Sequence, residues 1–219
     1  MGLSLFGIFM QYVFTNFAGS DLGICKPYLM YIVAMTFKEM NLTEKQLDST
    51  EIFNGKLLRV FKDRVLLPNG EESTREYIKH IGAVAVVAMD NEGRIAVEHQ
   101  FRYPFAEELM EIPAGKLDSE DEDPLEAAKR ELREETGITA SEFEYMGPFY
   151  PTCAYSNEVI HLYFAWNLSF GERSLDEDES INVEMIDLNK MVQLIFDGKI
   201  PDGKTQAAVL QVVARLRAQ

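Results

Sequence analysis

One segment, residues 115–138, constrains the fold more than any other part of the chain, because it joins complete helix-end signals to a dense set of acidic side chains. Asp123 can accept a backbone N–H as the N-cap residue, and Pro124 suits the first helical position. Gly137 is a typical C-terminal stop. The segment therefore predicts a loop that runs into a helix over residues 124–136.

The predicted helix carries three glutamates close together. At about 100° per residue, Glu131 and Glu135 share one ridge beside an apolar stripe that ends at Leu132, and Glu134 flanks them. Like charges one turn apart destabilise an isolated helix by roughly 0.2–0.5 kcal/mol, so the cluster indicates a bound cation. Carboxylates grouped in this way suit Mg²⁺ or Mn²⁺. The alternative is a solvated acidic helix face, which composition alone leaves open.

The order of residues in the helix supports the first interpretation. Residues 130–138 read Arg-Glu-Leu-Arg-Glu-Glu-Thr-Gly-Ile, which resembles the second half of the Nudix box, R-E-U-x-E-E-x-G-U with U apolar, at every fixed position. Glu122 stands eight residues before Arg130, as the box requires. Six residues separate Gly115 from Glu122, one more than in the pattern. We interpret the extra residue as a loop insertion that leaves the helix register intact.

Short strands and two further helices are predicted around this segment. Residues 43–48 read as a polar lead-in, and residues 90–93 as a hairpin turn after which the chain returns antiparallel to the preceding strand. The predicted strands are 51–61, 64–67, 75–80, 83–89, 94–102, 143–150 and 159–168, and the predicted helices are 189–197 and 205–217. This order implies an α/β protein of the Nudix fold: a mixed β-sheet sandwiched between α-helices, with an N-terminal antiparallel strand subdomain.

Segments outside the box resemble the ADP-ribose pyrophosphatase branch of the family. They are residues 67–70, 100–104, 111–116 and 155–161. The resemblance implies Mg²⁺-dependent hydrolysis of the pyrophosphate bond of ADP-ribose to AMP and ribose 5-phosphate, by a homodimer whose N-terminal strands cross between subunits. One departure bears on substrate choice, because Cys153 stands where the branch usually has the proline of a Ser-Pro-Gly turn. Another nucleoside diphosphate sugar therefore stays open as the substrate.

The resemblance also implies roles for residues in and before the helix. Glu131 and Glu135 become the principal metal ligands, Glu134 supports them, and the carbonyl of Ala114 completes the site. Arg130 would orient these glutamates through charge-assisted hydrogen bonds. Metal ions held there would clamp the diphosphate of the substrate.

The group that accepts the proton of the attacking water is expected outside the helix. In the ADP-ribose branch a glutamate on a mobile loop after the box acts as the base, and the acidic run at 175–180 is the matching stretch. Glu177 is the first candidate and Glu179 the second, while Glu134 is the candidate within the box. A solvated acidic loop is the alternative.

Three residues are candidates for substrate contacts, although each alone would more often be an ordinary surface residue. Arg102, just beyond a core strand, could fork onto phosphate or ribose oxygens. Arg75 could face the adenosine end, and Glu158 could accept from ribose hydroxyls. A module that senses a nucleotide without cleaving it is the competing hypothesis, which the complete set of box glutamates argues against.

Length, charge and cysteine usage limit the remaining possibilities. The 219 residues suit one catalytic domain with appendages, and the net charge of −15 argues against a nucleic-acid surface. Cys25 and Cys153 give no disulfide framework, so we expect a cytoplasmic protein. Residues 1–34 form an apolar extension, which we expect to be non-native. A membrane anchor is the alternative, but the apolar stretch is slightly short for a membrane span. A dimerising strand subdomain at 35–80 and the hydrolase domain at 81–219 follow this extension.

Overall fold

The computed structural model describes residues 41–175 and 180–218. The chain divides into two compact units, residues 1–44 and 45–219, and the described helices and strands all belong to the second. There are ten such strands and three such helices. They are β1 (Lys45–Asn54), β2 (Arg59–Leu66), β3 (Glu72–Lys79), β4 (Ala83–Ala88), β5 (Arg94–Arg102), β6 (Glu107–Glu111), β7 (Ala114–Lys116), α1 (Pro124–Thr136), β8 (Ile138–Phe149), β9 (Ile160–Phe170), β10 (Ile181–Asp187), α2 (Leu188–Phe196) and α3 (Gly203–Ala218).

The strands form three sheets. One is the N-terminal sheet of β1, β2 and β3, which is antiparallel throughout. A second antiparallel sheet has the order β10-β5-β6. The third has the order β7-β4-β9-β8 and is mixed, because β4 and β9 run parallel whereas the outer pairs are antiparallel.

Strand β4 lies at the centre of the mixed sheet, and all six of its residues are buried. Successive side chains of a strand point to opposite faces of its sheet. One set therefore packs with α2 and α3, in a core that includes Ala83, Ala85, Val87, Met191, Val209 and Val212. The other set packs with α1, in a core that includes Val84, Val86, Ala88, Ala127, Ala128 and Leu132. The predicted sandwich of a mixed sheet between helices is confirmed.

The turn of the predicted hairpin between β4 and β5 is present, but the predicted pairing of the two strands is wrong. The turn itself forms, with Gly93 donating to the carbonyl of Asp90 at 3.2 Å and adopting a φ of +77°. After it, one isolated bridge joins Met89 to Ile95, and β5 pairs with β6 and β10 in a different sheet. The physical reason is that both edges of β4 are already occupied, by β7 and by β9.

The first predicted strands also need correction. Residues 45–48, assigned to the polar lead-in, belong to β1, which has no buried residue and is held by its ladder to β2. The predicted strand at 51–61 is interrupted by a turn in which Gly55 donates to the carbonyl of Leu58 at 2.9 Å. Strands β6 and β7 were not predicted, because they are short and lack a clear alternation of apolar and polar residues. Strand β10 was also not predicted, although its first five residues alternate between apolar and polar.

The N-terminal sheet leaves apolar side chains in solvent. Ile52 and Phe53 of β1 are 55% and 56% exposed, and Leu57 in the following turn is 58% exposed. The opposite edge of the sheet is covered, since Ile78 of β3 forms backbone hydrogen bonds with residues 155 and 157. Among the described residues there is no helix with the length and apolar character needed to span a membrane.

Candidate active site

Helix α1 has the bounds that its end signals predict. The Asp123 carboxylate accepts from the backbone N–H groups of Leu125 at 2.8 Å and Glu126 at 3.2 Å. At the other end Gly137 adopts a left-handed φ of +73° and donates to the carbonyl of Arg133. A Cβ at Gly137 would stand 2.5 Å from the carbonyl oxygen of Gly171, so glycine is required there by both conformation and space.

Two glutamates of α1 point at strand β7. Glu135 is 4% exposed, and its Oε2 accepts from the backbone N–H of Ala114 at 3.0 Å. Glu131 lies one turn earlier against the backbone of Gly115, where an added Cβ would stand 2.0 Å from the Glu131 carboxyl carbon. Only a residue without a side chain permits that approach, so Gly115 fixes the distance between α1 and β7 at the carboxylates.

Replacement of Gly115 by alanine should displace Glu131 and reduce kcat by about 100-fold, the loss expected when a catalytic group moves by about 1 Å. The melting temperature should change less than activity, because the Glu131 side chain can turn toward solvent. Gly203→Ala is the control, since its new Cβ would make an ordinary 3.5 Å contact with Phe149. Activity of Gly115→Ala near that of Gly203→Ala would contradict the assignment.

Arg130 links the carboxylates of the box. Its Nη1 donates to Glu131 at 2.7 Å and to Glu134 at 3.4 Å, and its Nε and Nη2 donate to Glu122, both at 3.2 Å. Burial opposes the charge of Arg130, but the hydrogen bonds to Glu122 and Glu131 outweigh it and raise its pKa. The guanidinium of Arg130 is thus held among the carboxylates of Glu122, Glu131 and Glu134.

Glu122 connects the loop before α1 to Arg130. The hydrogen bond from Arg130, and then the backbone N–H of Asp118 at 2.6 Å, lower the pKa of Glu122. Glu122 therefore bonds both to the backbone of its own loop, at Asp118, and to the side chain of Arg130. Helix α1 keeps the predicted bounds, which agrees with an insertion in the loop at residues 119–121 that leaves the helix register intact.

The donor set fits a hard divalent cation. Glu131, Glu135 and the carbonyl of Ala114 supply oxygen only, which Mg²⁺ and Mn²⁺ prefer, and both glutamates contact β7. Across residues 41–175 and 180–218, no three His, Cys, Asp or Glu side chains are close enough together to form a ready metal site. The carboxylates of Glu131 and Glu135 each accept a hydrogen bond within the protein, Glu131 from Arg130 and Glu135 from the N–H of Ala114.

Arg102 lies at the end of β5 and is held by a buried acid. Its Nε and Nη2 donate to the two carboxylate oxygens of Glu111 at 2.7 and 2.8 Å. The Lys204 ammonium group contacts the same carboxylate. The bond to Glu111 raises the pKa of Arg102, and Glu135 is among the other charges that raise it, so Arg102 lies within electrostatic reach of α1.

The other two predicted substrate residues have their described contacts at the N-terminal sheet. Arg75 of β3 is exposed, and its Nη1 donates to the carbonyl of Thr74 at 2.9 Å. Glu158 follows the segment that pairs with β3, and its carboxylate is 3.9 Å from Nδ1 of His80. These contacts do not bring Arg75 and Glu158 to β7.

Glu177 and Glu179 lie outside the described residues. The residues just before this segment contact α1, since the backbone N–H of Ser174 donates to the carbonyl of Glu134 at 2.9 Å. Across the gap, Nη1 of Arg173 donates to the carbonyl of Ile181 at 2.7 Å. The acidic segment therefore starts next to a glutamate of the box.

Sequence reasoning assigned no role to Glu111 or Lys204. Glu111 stands in the apolar run Leu109-Met110-Glu111-Ile112, and a carboxylate placed among apolar residues must find a cation if it is buried. That signal was present in the sequence. The identity of the cations was not, because Arg102 and Lys204 come from β5 and α3.

Comparison with known proteins gives a consistent result. The NUDIX domain profile matches residues 79–208, and the nucleoside diphosphate sugar hydrolase N-terminal domain matches residues 44–78. The chain is 41% identical to the ADP-ribose pyrophosphatase of Bacillus subtilis over 82% of this chain and 98% of that protein. It is 42% identical to the methanol dehydrogenase activator of Bacillus methanolicus over 76% of this chain and 90% of that protein. The crystal structure of an ADP compounds hydrolase has the same fold, with a TM-score of 0.74 at 20% identity, over 84% of this chain and 98% of that one.

Proposed function

The chain belongs to the Nudix hydrolase family, and from that premise we propose that it hydrolyses the pyrophosphate bond of ADP-ribose to AMP and ribose 5-phosphate, with Mg²⁺ as the metal. The observation that carries the proposal is the 41% identity to an ADP-ribose pyrophosphatase over nearly the whole of that relative. Family members generally use divalent metal ions. Mn²⁺ has the same ligand preference and is a possible substitute.

In this proposal the box residues hold the metal and set its position. Glu131 and Glu135 are the principal ligands, with Glu134 and the carbonyl of Ala114 beside them. When bound, the metal supplies positive charge that neutralises the diphosphate. Arg130 keeps the glutamates oriented through the contacts it makes with Glu131 and Glu134.

Residues outside the box bind the substrate and take up the proton. Arg102 binds phosphate or ribose oxygens, which its partly exposed side chain and its electrostatic interaction with Glu135 support. Arg75 and Glu158 contact the adenosine and ribose groups. Glu177 is the general base, with Glu179 as the second candidate, which the attachment of Ser174 to Glu134 supports.

The test is a panel of nucleoside diphosphate compounds incubated with Mg²⁺ or Mn²⁺, with released phosphomonoester as the readout. ADP-ribose should give the highest kcat/KM. ADP- and GDP-linked sugars belong in the panel, because the N-terminal match names nucleoside diphosphate sugars in general and Cys153 departs from the ADP-ribose pattern. A higher kcat/KM for another sugar would reassign the substrate, and binding without turnover would favour a nucleotide sensor.

We also propose that the protein is a cytoplasmic homodimer formed through residues 35–80. The exposed apolar side chains of β1 and its following turn support the dimer, since a strand with no buried residue needs a covering surface. The chain has only two cysteines and no disulfide framework, which supports a cytoplasmic location for the protein.

Deletion of residues 1–34 should leave a soluble, dimeric and active enzyme. The reason is that the family matches begin at residue 44, so the residues removed precede every matched segment. Sedimentation velocity and ADP-ribose hydrolysis of the truncated protein, beside the full chain, are the measurements. A monomeric, insoluble or inactive product would mean that the apolar extension contributes to the assembly.

A further inference from the structure

A buried carboxylate lies behind Arg102. Glu111, at the end of β6, is 4% exposed, and each of its oxygens accepts one hydrogen bond from the guanidinium. Such a fork of two parallel bonds fixes the plane of the arginine as well as its position. Because β5 and β6 are paired over five positions, the two side chains are attached to one rigid hairpin.

Glu111 is kept charged by two cations. Its second partner, Lys204, is in the first turn of α3 and also contacts Asp202 at 3.1 Å. A cation is disfavoured at the N-terminal end of a helix, so the two carboxylates account for the presence of lysine there. Burial opposes the charge of Glu111, but Arg102 and Lys204 outweigh it and lower its pKa.

The fork determines which edge of Arg102 faces outward. A guanidinium has five N–H donors, and Glu111 takes the edge formed by Nε and Nη2. Nη1 has no hydrogen-bond partner within the described part of the chain, and the side chain is 39% exposed. One edge is therefore left for a ligand, in an orientation that Glu111 sets.

We propose that Glu111 is a positioning residue for substrate binding: it holds Arg102 so that Nη1 and the outward hydrogen of Nη2 face the phosphate or ribose oxygens of the substrate. This inference rests on the proposed function, because it requires a nucleoside diphosphate sugar in the site. Pre-orientation reduces the entropy lost on binding, so the effect belongs in KM more than in kcat.

A double-mutant cycle tests the inference. Glu111→Gln should raise KM for the best substrate of the panel by about tenfold, because an amide offers one acceptor oxygen and the fork is lost. Its kcat should stay within about threefold of wild type. Arg102→Ala should raise KM at least as much, and adding Glu111→Gln to it should cause no further rise. Glu111→Asp, which keeps the charge but shortens the reach, should give an intermediate KM.

Lys204→Met is the matched control. It removes the other ion pair of Glu111 and should lower the melting temperature, but the fork to Arg102 remains, so KM should stay within about twofold of wild type. Additive effects of Glu111→Gln and Arg102→Ala, or a KM rise in Lys204→Met equal to that in Glu111→Gln, would overturn the inference. A wild-type protein inactive on the whole panel would instead overturn the proposed function.

Discussion

Glu135→Gln should lower kcat by about 1,000-fold or more. Loss of a charged metal ligand removes several kcal/mol of transition-state stabilisation, and about 1.4 kcal/mol corresponds to tenfold in rate. The fold should survive, because glutamine has the shape of glutamate and its oxygen can still accept from the N–H of Ala114. Steady-state kinetics in saturating Mg²⁺ and a thermal melt are the measurements.

A neighbouring glutamate supplies the control for this substitution. Glu126 lies on the same helix, but its side chain is 66% exposed and its carboxylate pairs with Lys129 at 2.8 Å. Glu126→Gln should therefore retain wild-type kcat. If Glu135→Gln also turns over at a rate close to wild type, Glu135 is not a metal ligand and the site assignment is wrong.

Glu177→Gln should lower kcat by roughly 10²–10⁴-fold, the usual contribution of general-base catalysis, with KM little changed. In the proposed mechanism the box glutamates hold the metal and would be poorly available as bases, so a carboxylate from outside α1 would be needed. Segment 175–180 is acidic, and the backbone N–H of Ser174, the residue before it, donates to the backbone carbonyl of Glu134. Rates measured across the pH range should show the loss of one basic group in the variant.

Glu179→Gln is the comparison for this prediction and should be mild. A large loss in Glu179→Gln with a mild effect in Glu177→Gln would assign the base to Glu179. Mild effects in both variants would exclude the segment from the chemistry. Glu134 would then become the candidate base.

Sequence reasoning located α1 correctly because the signals that end a helix are local. Asp123 and Gly137 act within a few residues of the positions that they cap, so no distant part of the chain is needed to interpret them. The same is true of the glutamate spacing, which places Glu131 and Glu135 on one ridge wherever the helix packs. The oxygen ligands proposed for the metal could therefore be selected from the sequence.

Strand partners could not be selected in this way. The turn at residues 90–93 favours a hairpin locally, yet β4 pairs with β9, more than 70 residues away along the chain. The apolar composition of β4 fits burial against any neighbour and does not specify which one. The same limit applies to Arg102, since neither Glu111 nor Lys204 is adjacent to it in sequence.

The central position of β4 has a consequence for how members of such a family can diversify. Each of its side chains belongs to one of two hydrophobic cores, and each of its edges is paired, so a change of size at any of the six positions is transmitted to a helix layer. Changes in substrate preference are therefore expected outside β4, for example in the turn between β5 and β6, which follows Arg102. Strand β4 is therefore the part of the fold that tolerates the least change, whereas the loops outside it can vary without unfolding the enzyme.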